Sequence, residues 1–93
     1  MEAFSQWLQR LSCDTVVNQV VKGDREVADL VVLVRAWIRD VYPVDPDVAE
    51  LQLRTAIEES VRALQEDGEL LYQPDIDALV ERSLYWRPNR GVR

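Results

Sequence analysis

The sequence predicts an all-α fold, a small bundle of four or five helices, and three observations lead to that prediction. Apolar residues recur three and four positions apart along most of the chain, which is the spacing of one helical face. Glycine and proline fall between these periodic segments. No segment convincingly shows the period of two that a half-buried strand requires. A chain of 93 residues is long enough for one domain with one core.

Two short helices are predicted at the start of the chain. The first covers residues 2–11, and its apolar face consists of Phe4, Trp7, Leu8 and Leu11. The second follows in residues 12–23, where valines occur in pairs four positions apart. Gly23 supplies the left-handed residue that commonly ends a helix. Cys13 has no second cysteine to pair with, and we expect it to be a buried, unreactive thiol.

The third helix is predicted over residues 24–43. Its core face follows the pattern i, i+3, i+4, i+7, i+10, i+11, i+14 in Val27, Leu30, Val31, Val34, Trp37, Ile38 and Val41. Asp24 is a natural N-cap for this helix. Pro43 ends it, because a residue before proline is pushed out of the helical region.

Two more helices complete the predicted bundle. The fourth and longest covers residues 46–67 and ends at Gly68, and the fifth begins near Pro74. Between them, residues 70–72 are expected to form a buried connection, either extended or helical. Residues 1–86 are therefore predicted to form a single helical domain, and residues 87–93 a basic, flexible C-terminal tail.

The composition argues against most kinds of enzyme. The chain has no histidine, so a Ser-His or Cys-His nucleophile and the usual zinc sites are excluded. The three glycines are isolated, which removes a phosphate-binding loop. The acidic pairs at 45/47 and 75/77 could ligate a hard cation, but both flank a proline at a helix start, where carboxylates cap free N–H groups. We expect no enzyme activity, no cofactor and no bound metal.

The sequence also suggests where the protein acts. Its longest apolar run, residues 30–34, is far shorter than the roughly 20 residues of a membrane span. The first ten residues lack the basic and apolar regions of a secretory signal. We therefore expect a cytoplasmic protein without a membrane partner.

The third helix carries more apolar residues than one core face needs. Ala28, Val32 and Ala36 lie four residues apart among the charges of the opposite side. This second stripe is interpreted as a protein interface together with Leu51 of the fourth helix, and its predicted residues are Ala28, Val32, Leu33, Arg35, Ala36, Arg39 and Leu51. Two alternatives stay open, scattered exposure and burial by other helices on both sides.

The charges are distributed unevenly along the chain. Residues 1–81 hold all 17 acidic residues and seven basic ones, a net charge of −10, whereas residues 82–93 have a net charge of +4. The predicted contacts of this C-terminal segment with an anionic partner are Arg82, Tyr85, Trp86, Arg87, Arg90 and Arg93. That partner would be an acidic protein or a nucleic acid, although the acidic body repels a nucleic-acid backbone.

These features predict a non-enzymatic helical interaction module. It would be a small adaptor, regulator or assembly subunit that binds another protein or a second copy of itself. The alternative is a regulator that contacts DNA or RNA through its arginine-rich, aromatic C-terminal segment. Against this alternative, the last helix has three acidic residues before its first arginine, unlike a basic recognition helix.

Overall fold

The computed structural model describes residues 2–41 and 43–84, and within these ranges the fold is all-helical. The helices are α1 (Phe4–Arg10), α2 (Asp14–Lys22), α3 (Val27–Asp40), α4 (Pro46–Glu66) and α5 (Ile76–Ser83). The predicted helical bundle is therefore confirmed, with each helix close to its predicted place. The predicted basic tail and its boundary after residue 86 lie outside the described residues.

Helix α4 forms the centre of the bundle. It packs against α1, α2 and α5, while α3 packs against α1, α2 and α5 from another side. The fully buried side chains where these helices meet include Phe4, Leu30, Trp37, Leu53 and Ile57. The Phe4 ring lies 5.2 Å from that of Trp37, centroid to centroid, and so joins α1 to α3. No helix in the described ranges has both the length and the apolar character needed to cross a membrane.

Local signals set four of the helix ends. The side chain of Asp45 accepts a hydrogen bond from the backbone N–H of Asp47 at 2.8 Å, and Asp75 accepts one from Ala78 at 3.1 Å. Both carboxylates satisfy N–H groups that a helix start leaves free. Gly23 and Gly68 have φ angles of 83° and 74°, the left-handed conformation that glycine adopts without steric cost.

The prediction that Asp24 caps α3 is wrong. The left-handed turn at Gly23 directs the N–H of Asp24 back to the carbonyl of Gln19, at 2.8 Å, so Asp24 still belongs to the end of α2. Glu26 takes the N-cap position with an extended backbone and makes no side-chain cap. Helix α3 therefore begins at Val27, and its N-cap lies two residues later than predicted.

Two expectations about burial also need correction. Of the predicted buried connection, only Leu70 is buried, whereas Leu71 is 89% exposed and Tyr72 is exposed as well. The N–H of Leu70 bonds to the carbonyl of Leu64 at 3.2 Å, so the chain turns tightly at the end of α4 and brings a single side chain inward. Cys13 is only half-buried, because it precedes α2 at the edge of the core.

Candidate protein interface

Helix α3 has one buried side and one side that the bundle leaves uncovered. Leu30, Val34 and Trp37 are fully buried on the first side. On the second, Val32 is 62% exposed and Ala28 is exposed too. Arg35 and Arg39 follow these two residues seven positions later on the same side, and both are exposed. We call Ala28, Val32, Arg35 and Arg39 the outer face of α3.

The outer face borders an open concavity between α3 and α5. Its volume is about 460 Å³, and its described lining consists of Val27, Ala28, Val31, Val32 and Arg82. We call this concavity the α3–α5 groove. The four residues from α3 form two rows with the i, i+4 spacing of neighbours on a helix surface. Arg82, near the end of α5, is the one charged residue in this lining.

Contacts with α1 and with Glu2, just before it, hold the C-terminal end of α3. The indole N–H of Trp37 donates to the backbone oxygen of Glu2 at 3.0 Å. The indole N–H of Trp7 donates to Asp40 at 2.8 Å, and a guanidinium nitrogen of Arg10 lies 3.6 Å from the same carboxylate. These bonds hold the last turn of α3 against α1.

Two ion pairs at the surface, both outside the outer face, shift the pKa values of the groups that form them. Arg10 donates two hydrogen bonds to Glu2, at 2.9 and 3.0 Å, and this contact lowers the pKa of Glu2 and raises that of Arg10. Asp77 accepts a hydrogen bond from Arg54 and raises the pKa of that guanidinium. All of these groups lie at the surface, so the pairs contribute little to stability.

The described cations fall into two groups. Those with a carboxylate within 4.0 Å are Arg10, Lys22, Arg25 and Arg54. Those without one, within the described residues, are Arg35, Arg39, Arg62 and Arg82. Three of the four unpaired arginines therefore lie on the outer face or in the groove. The acids of α3 are already engaged, Asp29 with Arg25 at 3.2 Å and Asp40 with α1.

The structure narrows the predicted second stripe. Leu33 and Ala36 were expected on the water-facing side with Ala28 and Val32, but both are half-buried and pack against the core. Helix α3 packs against three other helices, so its apolar surface is wider than one core face. These two residues therefore have a packing role that the stripe interpretation did not include, while Ala28 and Val32 stay outside the core.

Of the other predicted site residues that the structure describes, Arg82 lines the groove and Leu51 does not. Leu51 is 61% exposed, but it lies on α4, and α3 packs mainly against the other helices. Its role in an interface stays a prediction. Of the C-terminal contacts, only Arg82 is described and lies in the groove. The remaining ones, Tyr85, Trp86, Arg87, Arg90 and Arg93, lie outside the described residues.

Sequence reasoning missed one feature of this groove and one of the loop after α4. Val27 and Val31 were assigned to the core face alone, yet both are half-buried and also line the groove. Their position at the edge of the core face was the available signal. The exposed pair Leu71 and Tyr72 gave no signal, because a short apolar run without periodicity reads as buried.

Neither a metal site among the described residues nor a similar protein indicates a function for this chain. Among residues 2–41 and 43–84, no three acidic or cysteine side chains are grouped so that they could hold a metal ion. Comparisons with protein-family models, with curated proteins and with solved structures found no match. The basis for a functional assignment is therefore the shape and charge of the α3–α5 groove.

Proposed function

We propose that the protein is a non-enzymatic helical interaction module that binds another protein through the outer face of α3. The observation that carries this proposal is the α3–α5 groove, in which Ala28 and Val32 lie outside the core beside Val27 and Val31. Single exposed apolar residues are normal at protein surfaces. A contiguous apolar concavity bordered by charged residues is instead typical of a binding site.

The proposed module is an adaptor, a regulator or an assembly subunit. A second copy of the chain is one possible partner, because two-fold pairs are the commonest assemblies. The lack of histidine supports a role without catalysis. The single cysteine fits a reducing compartment, which supports the cytoplasm as the place of action.

The test compares two exposed apolar residues on different parts of the surface. Val32→Asp puts a charge into the proposed interface, and Leu71→Asp puts one into the loop after α4. Neither side chain is in the core, so both variants should keep the helical circular dichroism of the parent. Tagged parent and variants are used to capture partners from extracts of cells that express the protein.

The proposal predicts that Val32→Asp loses a partner that both the parent and Leu71→Asp retain. Light scattering over a range of concentrations, at low and high salt, shows whether that partner is a second copy. Equal capture by all three proteins would refute the proposal. If Val32→Asp unfolds, the proposal is also refuted, because Val32 would then be needed by the core.

A further inference from the structure

The unpaired arginines around the groove point to the chemistry of the partner. Resting on the proposed function, we infer that the α3–α5 groove receives an acidic amphipathic helix of another protein. Apolar residues of that helix lie against Val27, Ala28, Val31 and Val32. Its carboxylates lie opposite the arginines of the outer face and of α5.

The charge argument depends on a contrast within the molecule. Residues 1–81 carry a net charge of −10, yet three guanidinium groups on the outer face or in the groove lining, those of Arg35, Arg39 and Arg82, have no carboxylate within 4.0 Å among the described residues. Beyond a Debye length of about 8 Å, salt screens the acidic body. The carboxylates of Asp24 and Glu26 lie near the start of α3, at the end of the groove away from Arg35 and Arg39. The part of a ligand that lies over the last turns of α3 therefore experiences mainly these two arginines. They favour carboxylates and disfavour lysine or arginine.

The same contrast argues against the protein's own C-terminal segment as the occupant. Residues 85–93 contain Arg87, Arg90 and Arg93 and no acidic residue. Placing this segment along the outer face would bring like charges together, which costs free energy and is not offset by any carboxylate of the segment.

The shape of the groove argues for a helix. Val27 with Val31 and Ala28 with Val32 form two parallel rows, and the side chains of another helix pack between such rows. Ala28 is small and permits a close approach of the two helix axes. The described residues contain no strand, so they offer no sheet edge to an extended peptide.

The order of residues along α3 predicts the order in the partner. The apolar lining ends at Val32, and Arg39 follows seven residues later, a rise of about 10.5 Å along the axis. The partner helix should therefore have apolar residues at i and i+3 or i+4, and Asp or Glu about two turns away on the same face. Its acidic end lies over Arg35 and Arg39.

Labelled peptides test this inference directly. Three peptides of about 18 residues are compared, a length of about five helical turns. Two of them carry the same leucine stripe, with glutamate two turns away in one and lysine at that place in the other. The third is a scramble of the glutamate peptide and lacks the stripe. Fluorescence anisotropy should show that the glutamate peptide binds at least tenfold more tightly than the lysine or scrambled peptide.

Variants assign the binding to the groove and to its arginines. Val32→Asp should weaken the glutamate peptide about tenfold, as expected for a charge in an apolar contact. The double variant Arg35→Glu, Arg39→Glu should weaken that peptide by a similar factor and strengthen the lysine peptide. Arg62→Glu is the matched control, because Arg62 is also exposed and has no carboxylate within 4.0 Å among the described residues, but lies on α4. It should leave both affinities unchanged within about twofold.

Several results would overturn the inference while leaving the proposed function intact. One is equal binding of the glutamate and lysine peptides, or no binding at about 1 mM, the weak end of specific affinities. Another is a salt-resistant dimer that Val32→Asp dissociates, because a second copy would then fill the groove. Competition of a single-stranded oligonucleotide with the glutamate peptide would assign the arginines to phosphate. Equal capture of partners by the parent, Val32→Asp and Leu71→Asp would instead refute the proposed function.

Discussion

The two sides of α3 differ in how completely the protein uses them. On the inner side and at the C-terminal end, Trp37 is fully buried and its indole N–H is bonded, and Asp40 accepts from Trp7. On the outer face, Val32 is 62% exposed, and neither Arg35 nor Arg39 has a carboxylate within 4.0 Å among the described residues. The inner side of α3 is thus buried and hydrogen-bonded within the bundle, whereas its outer face is exposed.

This difference separates stability from binding along a single helix. Substitutions on the inner side break packing or leave a polar group without its partner, and both are costly. Substitutions on the outer face remove nothing that the isolated chain needs. The predicted effects on the free energy of unfolding therefore fall steeply from the first side to the second, whereas the predicted effects on binding rise.

The largest effect is expected at the centre of the core. Trp37→Ala removes a fully buried side chain and should lower the free energy of unfolding by about 3–5 kcal/mol. Val32→Ala, a truncation on the outer face, should change it by less than about 0.5 kcal/mol. Urea denaturation followed by circular dichroism measures both. Similar losses of unfolding free energy for the two variants would show that the outer face contributes as much to stability as the core side.

The helices and the core could be predicted because their signals are local. The 3.6-residue period identified the buried side of α3, including Leu30, Val34 and Trp37, and the aspartates before Pro46 and Ile76 marked two helix starts. Such signals involve residues within one helix or one turn. They need no knowledge of how the helices are arranged.

The outer face could be predicted only in part because its limits depend on neighbouring helices. The periodicity of α3 alone predicts that Leu33 and Ala36 are exposed in the same way as Val32. Only the packing of α3 against three helices makes the first two half-buried and leaves Val32 exposed. The groove itself needs Arg82 beside Val27 and Val31, a contact over about 50 positions of sequence. A sequence period carries no information about such a contact.

The next largest effect on the free energy of unfolding is expected at the hydrogen bond between Trp7 and Asp40, at the C-terminal end of α3. Asp40→Ala leaves the indole N–H of Trp7 without its acceptor and should cost about 1–2 kcal/mol. Asp29→Ala is the matched control, because Asp29 also lies on α3 and has only an exposed ion pair with Arg25. It should cost less than about 0.5 kcal/mol. Urea denaturation of the two variants under the same conditions gives the comparison.

A conservative variant separates the hydrogen bond from the charge of Asp40. Asp40→Asn keeps an oxygen that can accept from Trp7 but loses the ion pair with Arg10. It should retain most of the stability that Asp40→Ala loses. Equal losses would mean that the charge, and not the indole bond, matters at this end of α3.

A smaller effect, of opposite sign, is expected on the outer face. Arg35 and Arg39 are like charges at i, i+4, an arrangement that destabilises a helix. Arg35→Glu turns this repulsion into an attraction and should raise the free energy of unfolding by about 0.3–0.5 kcal/mol. The gain, measured by urea denaturation, should shrink at high salt because exposed charges are screened. A loss of stability would reveal a contact of Arg35 within the bundle.

The smallest predicted effect is a change in acid sensitivity beside the inner side of α3. The hydrogen bond from Arg10 holds the pKa of Glu2 below its ordinary value of about 4.5. A carboxyl with a lowered pKa in the folded state stabilises the fold above its ordinary value, and this contribution is lost as the pH falls through the folded pKa. Glu2→Gln should therefore lose less stability than the parent when the pH drops below about 4.5.

The partner of Glu2 provides the decisive comparison for this effect. If the shift comes from Arg10, then Arg10→Gln should flatten the acid side of the stability curve in the same way as Glu2→Gln. The double variant should add nothing further, because either substitution alone removes the same pair. Urea midpoints measured across the acid range give all three curves. A double variant flatter than both single ones would mean that Glu2 and Arg10 act through separate contacts, with Asp40 as the natural second partner of Arg10. The pair would then belong to the same bonded network that holds the last turn of α3, and the contrast with the unpaired arginines of the outer face would be sharper still.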